Sequence, residues 1–194
     1  MGAPVTVPYE ATAGRRVNVI GAHFTQGPLA GKFCFRSYAK LPEPRSKDPE
    51  ATLARQAQVQ ELSPGELGKI DAQRFLEFIW EVAGRPAGDA GEWKRERRLA
   101  IVLDNYSVHH SRLVTATLPL LQAAQIELFY LPAYCPELSR IEPVWRAVKH
   151  FDLRVRSYSR LGPLKRAIDE ALARKAVALR ARHSQTTRSS GPDT

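Results

Sequence analysis

Asp104 and Glu142 are the two carboxylates whose surroundings in this chain could do chemistry. Asp104 closes a wholly apolar run, Leu99-Ala-Ile-Val-Leu103, and Asn105 follows at once. Such a run suits a central strand covered on both faces, and ligands of open α/β sheets gather at the carboxyl ends of strands. A carboxylate at that position offers hard oxygen to a divalent cation, as phosphoryl-transfer chemistry requires. The same Asp-Asn pair is also what an ordinary turn uses to close a strand and cap the next helix. Glu142 has a double reading as well. In Ser139-x-x-Glu142 the glutamate is either a metal ligand or the returning half of a capping box on Ser139. The adjacent His109 and His110 could assist a metal or a phosphate, or be polar surface.

The remaining candidates bound the chemistry. Cys34 and Cys135 are the only cysteines; far apart in a chain with no secretory leader pattern, they read as reduced and structural. Zinc would need closely spaced ligand pairs, which are absent. The net charge of +9 is unevenly placed: residues 1–139 hold 16 Lys and Arg against 15 Asp and Glu, whereas residues 140–188 hold 13 against 4. Excess positive charge of that kind suits a polyanion such as DNA, although a solvated helix and frayed basic tail have the same composition. No apolar run is long enough to span a bilayer, so the cytoplasm, or a nucleoid within it, is the default location. No motif in the chain points to a membrane or to a small-molecule substrate.

These residues need a scaffold, and a chain of 194 residues suffices for one domain with a substantial core. Residues 1–14 read as a connector. Two strand-like runs, 17–24 and 33–39, flank the Gly- and Pro-bearing segment 25–32 and predict a hairpin. Residues 41–62, with three prolines among charges, read largely as loop. Ser63-Pro-Gly-Glu66 carries the marks of a helix start. Phe75, Leu76, Ile79, Val82 and Ala83 then recur at helical spacing, with Gly84 placed to stop the helix. The strand 99–103 follows, then a helix over 111–124 that Pro119 should kink or split, and a strand over 126–131. Ile141, Val144, Trp145 and Val148 form an i, i+3, i+4, i+7 stripe, which makes Trp145 core rather than a platform for a nucleobase. A last helix is expected over about 161–180, with a polar, disordered tail at 183–194. The order predicts an α/β fold with a mixed sheet.

Leu103-Asp-Asn105 with His109-His110, followed by Leu131-Pro-Ala-Tyr-Cys-Pro-Glu-Leu-Ser-Arg-Ile-Glu-Pro-Val-Trp145, closely resembles the signature of DDE-type transposases of the mariner superfamily, in their bacterial insertion-sequence branch. That signature runs Leu-Pro-x-Tyr-Ser-Pro-x-Leu-Asn-Pro-Ile-Glu-x-x-Trp after an apolar strand ending in Asp-Asn. Arg16-Val-Asn-Val-Ile-Gly-Ala22 is similar to the strand that precedes these motifs there. The resemblance covers about residues 15–175 and is most specific over 131–145.

The resemblance implies an RNase H-like mixed sheet flanked by helices, lacking its first strand, over residues 15–182. It makes Asp104 and Glu142, with 37 residues (105–141) between them, the second and third acids of a catalytic triad that binds Mg²⁺, with Mn²⁺ as a substitute. It places Asn105, His109, His110, Tyr134, Ser139 and Trp145 in support. DNA, as transposon ends and target, is the implied partner, with Arg140, Arg146, Lys149, Arg154 and Arg156 beside it, and the complete enzyme is implied to be a homo-oligomer. The first acid belongs on a strand upstream of the hairpin, so the expectation is an N-terminally truncated copy, inactive alone. The alternative is a non-catalytic DNA-binding or oligomerising remnant. Ser139, Arg140 and Cys135 stand where the family has Asn, Pro and Ser; Ser139 still suits a helix cap, while Arg140 brings a cation beside the site.

Overall fold

Residues 16–40, 61–88, 92–132, 135–153, 158 and 160–189 are described in the computed structural model of the chain. Strands β1 (Arg16–His23) and β2 (Phe33–Lys40) pair antiparallel from Arg16↔Lys40 to His23↔Phe33. Their β-branched and aromatic side chains suit a pleated, half-buried surface, and the Phe24 and Gly31 amides, bonded to the Lys32 and Phe24 carbonyls, close the hairpin.

Ser63-Pro-Gly-Glu66 forms a single 3₁₀ turn over Pro64–Glu66. The Glu66 carboxylate accepts from the Ser63 amide and hydroxyl, both at 2.9 Å. Helix α1 (Ala72–Ala83) starts separately, its N-cap Asp71 accepting from the Arg74 amide at 3.0 Å. It ends at Gly84, whose φ of 87° lies in the left-handed region that residues with a Cβ avoid.

Strand β3 (Leu99–Leu103) pairs parallel with β4 (Ile126–Tyr130), and helix α2 (Arg112–Ala123) connects them. Pro119 lies inside α2 without splitting it; flanking turns stay bonded, with the Thr115 and Thr117 hydroxyls donating to the Ser111 and Leu113 carbonyls. The expectation that β3 is covered on both faces is wrong. Leu103 is buried while Val102 is 59% exposed. Among the described residues β3 has only β4 as a partner, and α1 and α2 supply core to one side alone.

Helix α3 (Glu142–Ala147) continues into a π-turn, Val148–Asp152, and helix α4 (Leu161–Ser189) closes the described chain. Helix α4 runs beyond the expected end near residue 180. Among the described residues the hairpin and the parallel pair are separate sheets. The architecture is therefore mixed α/β with two small sheets and helices.

Two main cores result. The first joins Phe75, Leu76, Ile79 and Ala83 of α1 to Leu103, Val114, Leu121, Ala124 and Ile126. The second joins Phe33 to Val144, Val148, Ala171 and Leu172. Opposite-side residues of α1, Phe78 and Val82, pack on Phe24 of the hairpin, so α1 couples the two parts. Each fully buried Leu or Phe contributes about 1.5–3 kcal/mol.

Helix α4 is also tied by charge. Lys165, 6% exposed, donates to Asp169 at 2.7 Å and pairs with Glu66 at 3.1 Å, while the Ser37 hydroxyl of β2 donates to Asp169. Burial lowers the Lys165 pKa, but the bonds to Asp169 and Glu66 outweigh it and the net shift is upward. Among the described residues no helix is long and apolar enough to cross a membrane.

Candidate active site

Asp104 leaves the end of β3, where the Leu131 amide bonds the Leu103 carbonyl at 2.8 Å and carries the parallel pairing one residue further. Its side chain is 65% exposed. One carboxylate oxygen accepts from the Tyr106 amide at 3.1 Å, an Asx-type turn. The same oxygen and the Asp104 carbonyl both lie 3.1 Å from His109 Nδ1. Two acceptors face one ring nitrogen, so Nδ1 carries the proton and donates. The ring is held by Phe75, with centroids 4.5 Å apart, and by an edge contact from Tyr106 at 5.9 Å. The turn reading of Asp104 is therefore realised, and the carboxylate is still open to solvent.

Asn105 and His110 lock the same loop to β4. Asn105 Nδ2 donates to the Leu131 carbonyl at 2.5 Å, and His110 Nε2 lies 3.2 Å from Asn105 Oδ1. The His110 ring stacks on Tyr130 at 4.5 Å, and the Tyr130 hydroxyl donates to the His109 carbonyl at 3.1 Å. Burial raises the Tyr130 pKa, which keeps this hydroxyl a donor. Sequence reading placed Asn105 and both histidines near the site but missed Tyr130 and Phe75. An aromatic ending β4 and another on α1 carry no local mark of contact with a loop in between.

Glu142 stands differently. The expected capping box with Ser139 does not form: Ile141 is the N-cap, without a side-chain bond, and only the Glu142 amide meets the Ser139 carbonyl, at 3.1 Å. Because α3 starts at Glu142 itself, the glutamate occupies the first helical position instead of the third, from which it would reach back. Its carboxylate is exposed and makes no hydrogen bond or ion pair with the described residues. It opens on a pocket of about 350 Å³ lined by Glu137, Ser139, Pro143, Arg146, Ala147 and Phe151 in addition to itself. Asp104 does not line this pocket, and no hydrogen bond joins the two acids.

Helix α3 is fixed by Trp145, whose ring meets Phe33 edge-on at 5.6 Å. A Cβ on Gly21 of β1 would stand 2.5 Å from Trp145 Cη2, so the absent side chain of Gly21 is what admits the indole. Trp145 supports the site as core, in agreement with its stripe. His23, at the end of β1, has a buried Nδ1 without a hydrogen-bond partner among the described residues. Burial lowers its pKa, and a hydrogen bond to the Arg140 backbone partly offsets this, which places the hairpin end against the turn before Glu142. Neither Gly21 nor His23 was legible as a support.

Arg140, Arg146 and Lys149 are exposed and enter no ion pair among the described residues. Tyr134, Arg154 and Arg156 lie outside the described residues. The charge of α4 is partly consumed internally: Arg166, with Arg160 just before the helix, pairs with Glu61, Lys165 with Glu66 and Asp169, and Lys175 with Asp152. Cys34 and Cys135 are both free thiols, and burial raises the Cys34 pKa.

As metal donors, the exposed carboxylates are of the right kind for a hard cation. Their number is not sufficient: among the described residues no three His, Cys, Asp or Glu side chains gather as a metal site. A family model described as DDE superfamily endonuclease matches residues 43–165, a span that contains Asp104, Glu142 and the three exposed cations. No curated protein matches the chain.

Proposed function

The chain belongs to the DDE superfamily endonucleases, a family of transposase-like nucleases that act on DNA and generally use divalent metal ions, and from that premise we propose that it is the catalytic domain of an insertion-sequence transposase of the mariner superfamily. In this reading the α/β scaffold over residues 15–182 is RNase H-like, and Asp104 and Glu142 are two of three carboxylates that hold Mg²⁺. Bound there, the metal would activate water or a 3′-hydroxyl and stabilise the leaving oxygen.

The chain's own side chains do the rest. His109 orients the Asp104 carboxylate, and Asn105, His110 and Tyr130 hold the loop on which both stand. Arg140, Arg146 and Lys149 receive strand phosphates. A third carboxylate comes from outside the described residues. Two ends are brought together by a homo-oligomer, and the place of action is the nucleoid. The observation that carries this reading is the uncapped, exposed carboxylate of Glu142 beside Arg146, within the span that matches the family.

Two measurements test it. Mn²⁺ binding, followed by electron paramagnetic resonance, should weaken on Asp104→Asn and on Glu142→Gln. Indifference to both substitutions would remove the metal role. In a Mg²⁺- or Mn²⁺-dependent cleavage assay on a transposon-end duplex, the 194-residue chain should show no robust nicking, because the gathered donors are too few. Robust nicking abolished by Asp104→Ala would show that the donor set is complete after all.

The exposed Arg140, Arg146 and Lys149 favour a second reading, a DNA-binding partner of an intact transposase without catalysis of its own. Both readings require affinity for DNA that falls steeply between low and moderate salt, as counterion release dictates.

A further inference from the structure

The apolar stripe of Ile141, Val144, Trp145 and Val148 would, in an uninterrupted α-helix, continue to Phe151. It does not, because Val148–Asp152 is a π-turn in which the Leu153 amide bonds the Val148 carbonyl at 3.1 Å. The wider turn rotates the next residue off the buried face. Val148 is buried, whereas Phe151 is 81% exposed and lines the pocket beside Glu142 and Arg146. Single π-turns within helices occur frequently at functional sites, and a large aromatic left in water forfeits the gain from burial.

The lining has two chemistries. Phe151, Pro143 and Ala147 are apolar, and Arg146 is a cation with no ion-pair partner among the described residues. A volume of about 350 Å³ is at the small end of ligand pockets, about 300–1,000 Å³. That leaves room for one nucleotide and not for a base pair. A base stacked in a duplex cannot offer its face to a side chain, but an unpaired one can.

We propose that this pocket holds a single unpaired nucleotide at the end of a DNA strand, its base on Phe151 and its phosphate on Arg146. The proposal rests on the reading of Glu142 as a metal-binding carboxylate at the reacting strand end, and it makes Phe151 a positioning residue for that end. Glu137 and Glu142 alone would repel the phosphate, so the pocket works with Mg²⁺ present.

The test is fluorescence anisotropy with the 194-residue chain and Mg²⁺, comparing a blunt duplex with one bearing a single 3′-overhanging 2-aminopurine. The chain should prefer the overhang by about tenfold, within the roughly five- to hundredfold range of base–aromatic stacking. The 2-aminopurine emission should report stacking on binding. Phe151→Ala should erase the preference and Phe151→Trp should keep it; the side chain is exposed, and circular dichroism checks that both variants fold. Equal affinity for the two duplexes, or a preference that survives Phe151→Ala, overturns the proposal and leaves DNA binding intact. A changed sedimentation of Phe151→Ala with an unchanged preference also overturns it, marking the ring as a contact between copies. Absence of salt-sensitive binding to either duplex sinks both this proposal and the functional reading beneath it.

Discussion

The part that carries Asp104 and the part that carries Glu142 are built by different means. Asp104 leaves a parallel strand pair packed on α1 and α2, and its loop is tied by hydrogen bonds and stacked rings to the end of β4. Glu142 leaves a short helix held by Trp145 and Val144 against the hairpin and α4, and its own side chain touches none of the described residues. One acid is oriented by a local network, the other only by the packing of the helix beneath it. A pair of carboxylates can thus stand in one sequence motif while their separation depends on how two cores meet. Helix α1 and the hairpin end set that meeting, through Phe78, Val82 and Phe24 on one side and His23 against Arg140 on the other.

The sharpest way to break the contrast is Phe75→Ala. Phe75 is 1% exposed and supports both the first core and the His109 ring, so the loss should be about 4 kcal/mol. Urea unfolding would measure it, and the His109 ring signals in NMR should shift while Trp145 is left in place. A cost below about 1 kcal/mol would show that the first core tolerates the gap and that His109 is held by its hydrogen bonds.

Lys165→Met acts on the other part. Breaking a buried ion pair costs about 3–5 kcal/mol, and the partial exposure of Glu66 and Asp169 reduces this to roughly 2 kcal/mol. Thermal unfolding should register it with the Asp104 loop unperturbed.

Gly21→Ala would sharpen the comparison, because it disturbs Glu142 without touching either acid. The added Cβ meets the indole of Trp145, and overpacking of this kind costs about 1–2 kcal/mol. Near-ultraviolet circular dichroism should change, and DNA affinity through Arg146 should fall. An unaltered spectrum would mean that β1 yields and not α3.

Acid should produce the smallest effect. The bond from the Ser63 amide, followed by those from the Ser63 hydroxyl and Lys165, lowers the Glu66 carboxyl from 4.5 to about 2. A depressed folded value means that the contribution is present above the unfolded pKa and is lost as pH falls from about 4.5 through about 2. For a carboxylate this exposed the loss should stay under about 1 kcal/mol after screening. Glu66→Gln should flatten the stability profile in that window, and an unchanged profile would remove Glu66 from the clamp. For Lys165 the sign is opposite: its raised value makes a contribution that disappears as pH rises through the folded pKa.

Helix α1 was legible almost residue by residue, because its stripe and its stop at Gly84 are local properties. The hairpin and the order of the later elements were legible for the same reason. Coverage of β3 was not: an apolar pentapeptide looks the same whether one or both of its faces are packed. The capping box at Ser139 was misread because spacing alone does not say where a helix begins, and a shift of two residues moved Glu142 from the third helical position to the first. Phe151 was missed because a π-turn leaves no mark in the periodicity that it interrupts.

The sequence by itself determined the local periods, the turn chemistry, the placing of excess charge and the motif that carries Asp104 and Glu142. Each of these depends on residues near one another in the chain. The tertiary structure alone decided which carboxylate is oriented and which is free, which cations are consumed in pairs, and which aromatic faces the pocket. Those outcomes depend on contacts between Gly21 and Trp145, Phe75 and His109, and Lys165 and Glu66, partners that no local pattern links.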